Sequence, residues 1–173
     1  MLMFSLAELF GIAISSIGVT YIFSGLIPGQ MKDKERFKLS ALIAIPSLLL
    51  HEFAHKFVAI AFGMSATYHA NFWGLFIGVA LKTMGLPIFF VPAYVSISAF
   101  TATKTGLILT GLAGPALNGF LFAITYPLEK YMKTRNQHIL LYVTRQINMW
   151  LLILNLLPIP GTDGFNALRY LLA

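Results

Sequence analysis

Residues 39–62 read LSALIAIPSLLLHEFAHKFVAIAF, an apolar stretch with polar side chains at its middle or just beyond it. A helix of about 20 apolar residues crosses the hydrocarbon core of a bilayer. The polar residues of this stretch include His51, Glu52, His55 and Lys56. Ionisable groups at membrane depth are costly and mark functional sites. The stretch therefore predicts a membrane-spanning helix that carries a site.

The composition of the whole chain also indicates a membrane protein. Of its 173 residues, 58% are hydrophobic and only 10% are charged, which lies outside the range of ordinary soluble domains. The length allows roughly four spans and leaves no room for a separate soluble domain. We expect residues 1–173 to form one multi-pass domain of the lipid bilayer, in the cell membrane if the source is prokaryotic.

The apolar segments predict an all-α polytopic fold with about four transmembrane helices. The predicted spans are residues 2–27, 39–62, 106–128 and 138–157. Between the second and third spans, glycines and prolines interrupt two apolar runs, residues 71–81 and 86–100, so neither is typical of a clean span. Residues 91–98 are rich in β-branched and aromatic side chains and favour a strand. We therefore expect a small re-entrant or β-hairpin element there.

Charge and cysteine content exclude several classes of partner and site. The net charge of +6 does not indicate a nucleic-acid partner, because most basic residues flank apolar segments, where cations anchor helix ends at lipid headgroups. The chain contains no cysteine, so a metal ion must be bound by nitrogen and oxygen atoms.

The pattern His-Glu-x-x-His at residues 51–55 is typical of a zinc site on a helix. Its histidines lie one turn apart on one face, so two imidazole nitrogens converge on one ion. Glu52 then projects beside the metal, where it can accept a proton from a water molecule that zinc makes more acidic. The alternative is a pair of packing histidines with an incidental glutamate, which would leave three polar groups unsatisfied in the membrane.

A catalytic zinc site of this kind requires a third protein ligand. His69 and His138 are candidates by residue type, but both lie beside loops. Asp163 is favoured, because the Pro/Gly break at residues 158–161 can turn the backbone and aim a carboxylate inward. From the residues alone, however, the favoured role of Asp163 is that of an N-cap for a short last helix.

Two motifs in this order resemble the site-2 protease family of intramembrane zinc metalloproteases, in its minimal prokaryotic form. That family combines His-Glu-x-x-His with Asn-x-x-Pro-x-x-x-x-Asp-Gly on a later helix, which corresponds here to residues 155–164. Residues 113–118, AGPALN, resemble its Ala-Gly-Pro helix. The resemblance covers about residues 39–170, with residues 1–30 as an additional transmembrane helix. Thr162 and Phe165 depart from the leucine and glycine that are common in the family.

The resemblance implies one zinc ion per chain, bound by His51, His55 and Asp163, with Glu52 as the catalytic base. It also implies that Asn155, assisted by Asn118, binds substrate backbone or stabilises the oxyanion. From the residues alone, both asparagines are better explained as hydrogen-bonding contacts between helices. Two further charged residues have no predicted catalytic role: Lys56 either snorkels to headgroups or pairs with a carboxylate, and Glu8 is expected at an interface.

The predicted function is hydrolysis of peptide bonds in transmembrane substrate proteins, as in regulated intramembrane proteolysis. The strand at residues 91–98 is expected to hold an unwound substrate by β-augmentation. Expected partners are transmembrane substrate proteins and either a regulatory membrane partner or a second copy of the chain. The alternatives are an inactive membrane scaffold of the same fold, and an ion transporter, since intramembrane histidines and carboxylates also mark ion paths.

Two lines of reasoning disagree about orientation. The loops around residues 32–38 and 130–135 are rich in lysine and arginine, so the positive-inside rule places both in the cytoplasm. Resemblance to the family implies instead that the helix bearing His51 and His55 ends on the cytoplasmic side. We favour the family arrangement.

Overall fold

A long helix interrupted by one π-helical segment forms the centre of the fold. The computed structural model describes residues 3–87, 90–98 and 102–172. Its helices are α1 (Leu6–Ser24), α2 (Asp33–Ala44), α3 (Leu50–Ala61), α4 (Phe72–Thr83), α5 (Lys104–Glu129), α6 (Arg135–Leu156) and α7 (Asp163–Leu172). The strands are β1 (Ser65–Ala70) and β2 (Ala93–Ser98), and the π-helical segment Ile45–Leu49 joins α2 to α3.

Within the described ranges, four helices are long and apolar enough to cross a membrane, which confirms the predicted fold class. They are Leu6–Ser24, Asp33–Ala61, Lys104–Glu129 and Arg135–Leu156. The last begins earlier than the predicted residue 138. The reason is a capping box, in which Thr134 and Gln137 satisfy each other's backbone N–H groups and start the helix at Arg135.

The predicted hairpin element between the second and third spans is also confirmed. Strands β1 and β2 pair antiparallel, with Ser65 opposite Ser98 and Ala70 opposite Ala93. The sequence does not predict β1. After β1 the chain continues into helix α4 and not into a tight turn. Residues 88, 89, 99 and 100 of the predicted apolar run lie outside the described residues.

Helix α4 re-enters the bundle alongside α1. A Cβ atom on Gly18 would lie 2.9 Å from Leu75, and one on Gly78 would lie 2.7 Å from Ile22, so glycine on each helix allows close packing. At the end of α4, Lys82 donates hydrogen bonds to the Tyr21 carbonyl (2.6 Å) and the Ser24 hydroxyl (2.7 Å) at the end of α1.

The basic loops and the sheet lie on opposite sides of the bundle. Arg36, near the start of α2, donates to the carbonyls of Ile27 and Gly29 after α1. A buried cluster that includes Leu39 and Val143 connects this end of α2 to α6. The spans from Asp33 to Ala61 and from Arg135 to Leu156 both run from this end toward the other, where the sheet packs on α1 and α3.

Candidate metal and catalytic site

Three residues from two distant parts of the chain bring their ligand atoms together. The Nε2 atoms of His51 and His55, one turn apart on α3, are 3.1 Å apart. Oδ2 of Asp163, the first residue of α7, lies 3.1 Å from Nε2 of His51 and 3.3 Å from Nε2 of His55. Among the described residues, His51, His55 and Asp163 form the one group of histidines and carboxylates that could hold a metal ion, and we call these three the metal-ligand group.

The turn between α6 and α7 aims Asp163 at the histidines. Helix α6 ends before Pro158, and Gly161 adopts a φ of +98°, which favours glycine. The hydroxyl of Thr162 accepts a hydrogen bond from the Phe165 N–H at 3.2 Å. Thr162 thus supplies the capping contact that the alternative interpretation gave to Asp163, and the Asp163 carboxylate remains available to the metal-ligand group.

Glycine at position 164 is required by the approach of this turn to α6. A Cβ atom there would lie 2.5 Å from the carbonyl oxygen of Leu156. A contact this short would force the backbone apart, so the Asp-Gly pair of the motif has a steric reason as well as a chemical one.

The three residues fit a zinc ion. Tetrahedral zinc with bonds of about 2.0–2.1 Å separates its ligand atoms by about 3.3–3.4 Å, close to the distances found here. Oδ2 of Asp163 is buried without a hydrogen-bond partner among the described residues, as expected for an atom that ligates a metal. Burial raises the pKa of the Asp163 carboxyl, but the two imidazoles beside it lower this pKa by a larger amount. The pKa of Asp163 therefore lies below its ordinary value.

Helix α5 leaves space for an ion at Gly114. A Cβ atom at this position would lie 2.3 Å from Nε2 of His55 and 2.6 Å from Nε2 of His51. The absence of a side chain at position 114 therefore keeps the space beside the ligand atoms open.

Hydrogen bonds on the far side of each imidazole set its orientation. Nδ1 of His55 lies 2.6 Å from the carbonyl oxygen of Thr110. Because a carbonyl only accepts, His55 carries its proton on Nδ1, and the lone pair of Nε2 faces the metal site. Nδ1 of His51 lies 2.5 Å from Oδ1 of Asn118. The sequence analysis does not predict Thr110, because its backbone, not its side chain, makes the contact.

The side chain of Asn118 contacts His51, a candidate metal ligand. This side chain is fully buried and bonds to His51, to the Ser47 carbonyl (2.9 Å) and to Asn148 (2.8 Å). It is absent from the lining of the cavity that contains the ligand atoms. Its position therefore does not support the predicted substrate-binding role and fits the alternative of a contact between helices.

The metal-ligand group opens into a cavity of about 400 Å³. Glu52 and Asn155, both half-buried, line this cavity together with the three ligand residues. Its lining also includes residues of β2, among them Ala93, Tyr94, Val95 and Ile97. The cavity therefore places the predicted base and one predicted substrate-binding residue beside the metal-ligand group.

Asn166 and Tyr170 of α7 also line the cavity. The sequence does not predict a role for either residue. Asn166 is three residues after Asp163, a spacing that places both on one helix face. Once Asp163 is a candidate ligand, this periodicity is the signal that points to Asn166.

The two other histidines lie apart from the metal-ligand group. Nε2 of His69, on β1, lies 2.8 Å from the Ser96 hydroxyl, and its ring stacks on Tyr94. His138 lies in the first turn of α6, at the end of the bundle opposite the sheet.

Comparison with known proteins finds relatives that are named as zinc metalloproteases. A protein of Methanocaldococcus jannaschii, named Putative zinc metalloprotease MJ0611, is 30% identical over 174 aligned positions, which cover 96% of this chain and 86% of the relative. The chain belongs to the site-2 protease family. A Mycobacterium tuberculosis member of this family, named Putative zinc metalloprotease Rip2, is 29% identical over 137 positions, or 71% of this chain and 53% of that relative. No model of a known protein family and no solved structure matches this site-2 protease family member.

Proposed function

We propose that this site-2 protease family member is an intramembrane zinc endopeptidase that hydrolyses peptide bonds in transmembrane segments of other proteins, as in regulated intramembrane proteolysis. One observation carries the proposal: His51, His55 and Asp163 meet beside Glu52 in a cavity among helices long enough to span a bilayer. The names of the relatives support zinc-dependent proteolysis. A site at this depth favours membrane-embedded substrates.

One zinc ion per chain is the proposed cofactor, held by Nε2 of each histidine and the Asp163 carboxylate. When bound, zinc polarises a carbonyl and lowers the pKa of a coordinated water to about 7. The hydrogen bonds to Asn118 and Thr110 hold both imidazoles with Nε2 directed at the ion.

Glu52 is the proposed general base and acid. It follows His51 directly on α3 and lines the cavity, so its carboxylate reaches the space where water and the scissile carbonyl meet. Glu52 takes a proton from the attacking water and passes it to the leaving amine nitrogen. Asn155, which also lines the cavity, is proposed to donate hydrogen bonds to the substrate backbone or the developing oxyanion.

Strand β2 is the proposed clamp for an unwound substrate. One edge of β2 pairs with β1, and residues of β2 line the cavity. A transmembrane helix hides its carbonyls in its own hydrogen bonds, so cleavage requires an extended segment. Pairing with the second edge of β2 would hold such a segment in front of Glu52.

The proposal extends to location and partners. We place the protein in the cell membrane, with transmembrane proteins as substrates and with a regulatory membrane partner or a second copy of the chain controlling access.

The test combines metal analysis and cleavage on the same preparations. Wild type and Glu52→Gln are reconstituted with a fluorescent transmembrane substrate, and zinc is measured by mass spectrometry. We expect about one zinc in both proteins and cleavage by the wild type only, since Glu52→Gln removes the base but no ligand. Asp163→Asn serves as the ligand variant and is expected to lose zinc as well as cleavage. Equal zinc in wild type and Glu52→Gln, with no cleavage of any transmembrane substrate by either, would favour a binding scaffold.

A further inference from the structure

A chain of hydrogen bonds continues from His51 through Asn118 to Asn148, in the middle of α6. The Asn118 amide donates to Oδ1 of Asn148 at 2.8 Å and to the Ser47 carbonyl at 2.9 Å. The Asn148 amide in turn donates to the Ser47 hydroxyl and to the Thr144 carbonyl, each at 2.8 Å. Ser47, Asn118 and Asn148 are all completely buried.

The direction of every bond in this chain is fixed by its backbone partners. The carbonyls of Ser47 and Thr144 can only accept, so each must face an amide nitrogen. The oxygen of Asn148 is thereby left for Asn118, and the oxygen of Asn118 is left for His51. An oxygen facing Nδ1 of His51 requires the proton on that nitrogen, which directs the lone pair of Nε2 at the metal site.

We propose that Asn148 is a positioning residue that fixes the amide of Asn118 and, through it, the tautomer and ring orientation of His51. The inference rests on the metal site of the proposed function and does not depend on peptide hydrolysis. Without Asn148, one hydrogen of the Asn118 amide has no partner, and the bond to the Ser47 carbonyl is the one remaining contact that sets which way the amide faces. Rotation of the Asn118 amide then becomes less costly, and the His51 tautomer is no longer fixed.

The first experiment measures the tautomer of His51 by ¹⁵N NMR on zinc-free protein labelled at histidine, with the resonance assigned by a His51→Gln spectrum. We expect Nδ1 of His51 to be protonated in the wild type and Asn148→Leu to show a mixture of tautomers. Asn148→Gln is the conservative variant. Its amide keeps an oxygen that can accept from Asn118 and a nitrogen that can donate to the Thr144 carbonyl, so we expect it to restore part of the wild-type pattern.

The second experiment measures zinc affinity by competition with a chelator. Supporting residues of metal ligands typically contribute 10–100-fold in affinity, and we expect a loss of about tenfold or more in Asn148→Leu. Thr125→Val is the matched control, because Thr125 is equally buried on α5 and accepts a hydrogen bond from Arg145 of α6 at 3.0 Å, away from the metal ligands. We expect the control to bind zinc like the wild type.

A tautomer and a zinc affinity in Asn148→Leu that match those of Thr125→Val would overturn the proposal. If Asn148→Leu does not fold, Asn148→Ala takes its place and is judged by the same two measurements. These results are separate from the test of proteolysis. If the protein binds zinc with a fixed His51 tautomer but cleaves nothing, the positioning role of Asn148 stands and the proposed function does not.

Discussion

Lys56, the residue after the second histidine of the metal site, forms a salt bridge with Glu8 of α1. Both side chains are buried, and Glu8 also accepts a hydrogen bond from the Tyr68 N–H of β1 at 2.8 Å. The Lys56 ammonium lies 4.6 Å from the centroid of the Phe4 ring. This ion pair therefore connects helix α3, helix α1 and strand β1. Lys56 is thus paired with a carboxylate, one of its two predicted roles, while the position of Glu8 at a membrane interface stays a prediction.

Removing one member of this pair is expected to destabilise the protein more than removing both. A lone buried charge costs about 3 kcal/mol or more, whereas an apolar pair of similar size fills the same space at little cost. We predict that Glu8→Leu and Lys56→Met each lower the thermal unfolding midpoint in detergent, and that the double variant recovers much of the loss. A double variant with the summed loss of the two single variants would contradict this coupling. Glu129→Gln is the comparison, since Glu129 pairs with Arg145 but is 54% exposed, and it should have a smaller effect.

The sequence predicts the parts of the site that depend on local spacing. Four apolar segments, the histidines one helical turn apart and the Pro/Gly break before Asp163 are all visible in short windows. Their convergence on one metal-ligand group depends on contacts between distant helices, which the family resemblance supplied and the residues alone left open.

Other features of the site have no local signature. Thr110 acts through its carbonyl, which every residue type possesses. Asn118 is an asparagine on an apolar helix, and only the packing of α5 on α3 distinguishes contact with His51 from contact with substrate. Asn148 carries a usable signal, because it precedes Asn155 by two helical turns and so lies on the same face of α6. Strand β1 is short and half polar, and its pairing with β2 across α4 is a long-range property.

Gly114 provides a direct test of the metal site. In Gly114→Ala the added methyl group would lie 2.3 Å from Nε2 of His55 and displace the imidazoles from the ion. We predict a loss of zinc affinity at least as large as the 10–100-fold typical of supporting residues. The zinc-free protein should still fold, because the clash is with the ends of two side chains that can shift and because alanine is the better helix former.

The matched control for this test is Gly119→Ala on the same helix. A Cβ atom at position 119 would make an ordinary contact of 3.6 Å with Leu152, so zinc binding should not change. Zinc content by mass spectrometry and chelator competition give the comparison. Retention of full zinc affinity in Gly114→Ala would mean that the ion is not held beside α5.

The sidedness of the bundle can be measured with single cysteines, because the chain contains none of its own. Lys34 and Lys133 are exposed at the end of the basic loops, and Ser65 is exposed at the sheet. The fold requires cysteines at 34 and 133 to react from the same side and a cysteine at 65 from the other. In the family arrangement, a membrane-impermeant reagent added to intact cells labels positions 34 and 133 and not 65. The reverse pattern would support the positive-inside rule instead.

The clamp proposed for β2 predicts that one backbone N–H is needed for cleavage. Residues of an antiparallel pair alternate between hydrogen-bonded and non-hydrogen-bonded positions, so of Tyr94 and Val95 only one donates its N–H to β1. Proline removes the N–H, whereas alanine keeps it, so each proline variant is compared with alanine at the same position. At the position whose N–H bonds to β1, the proline variant should lower the stability of the protein, because that hydrogen bond is broken.

At the position whose N–H points away from β1, proline should lower cleavage by about tenfold or more relative to alanine. Zinc content and the unfolding midpoint should not change. The loss arises because an extended substrate then meets an edge that lacks one of its donors. The measurements are the initial cleavage rate of a transmembrane substrate, zinc per chain and thermal unfolding for all four variants. If neither proline variant cleaves more slowly than its alanine counterpart, substrate does not pair with this edge, and the extended segment must be held by α7 or by Asn155 instead.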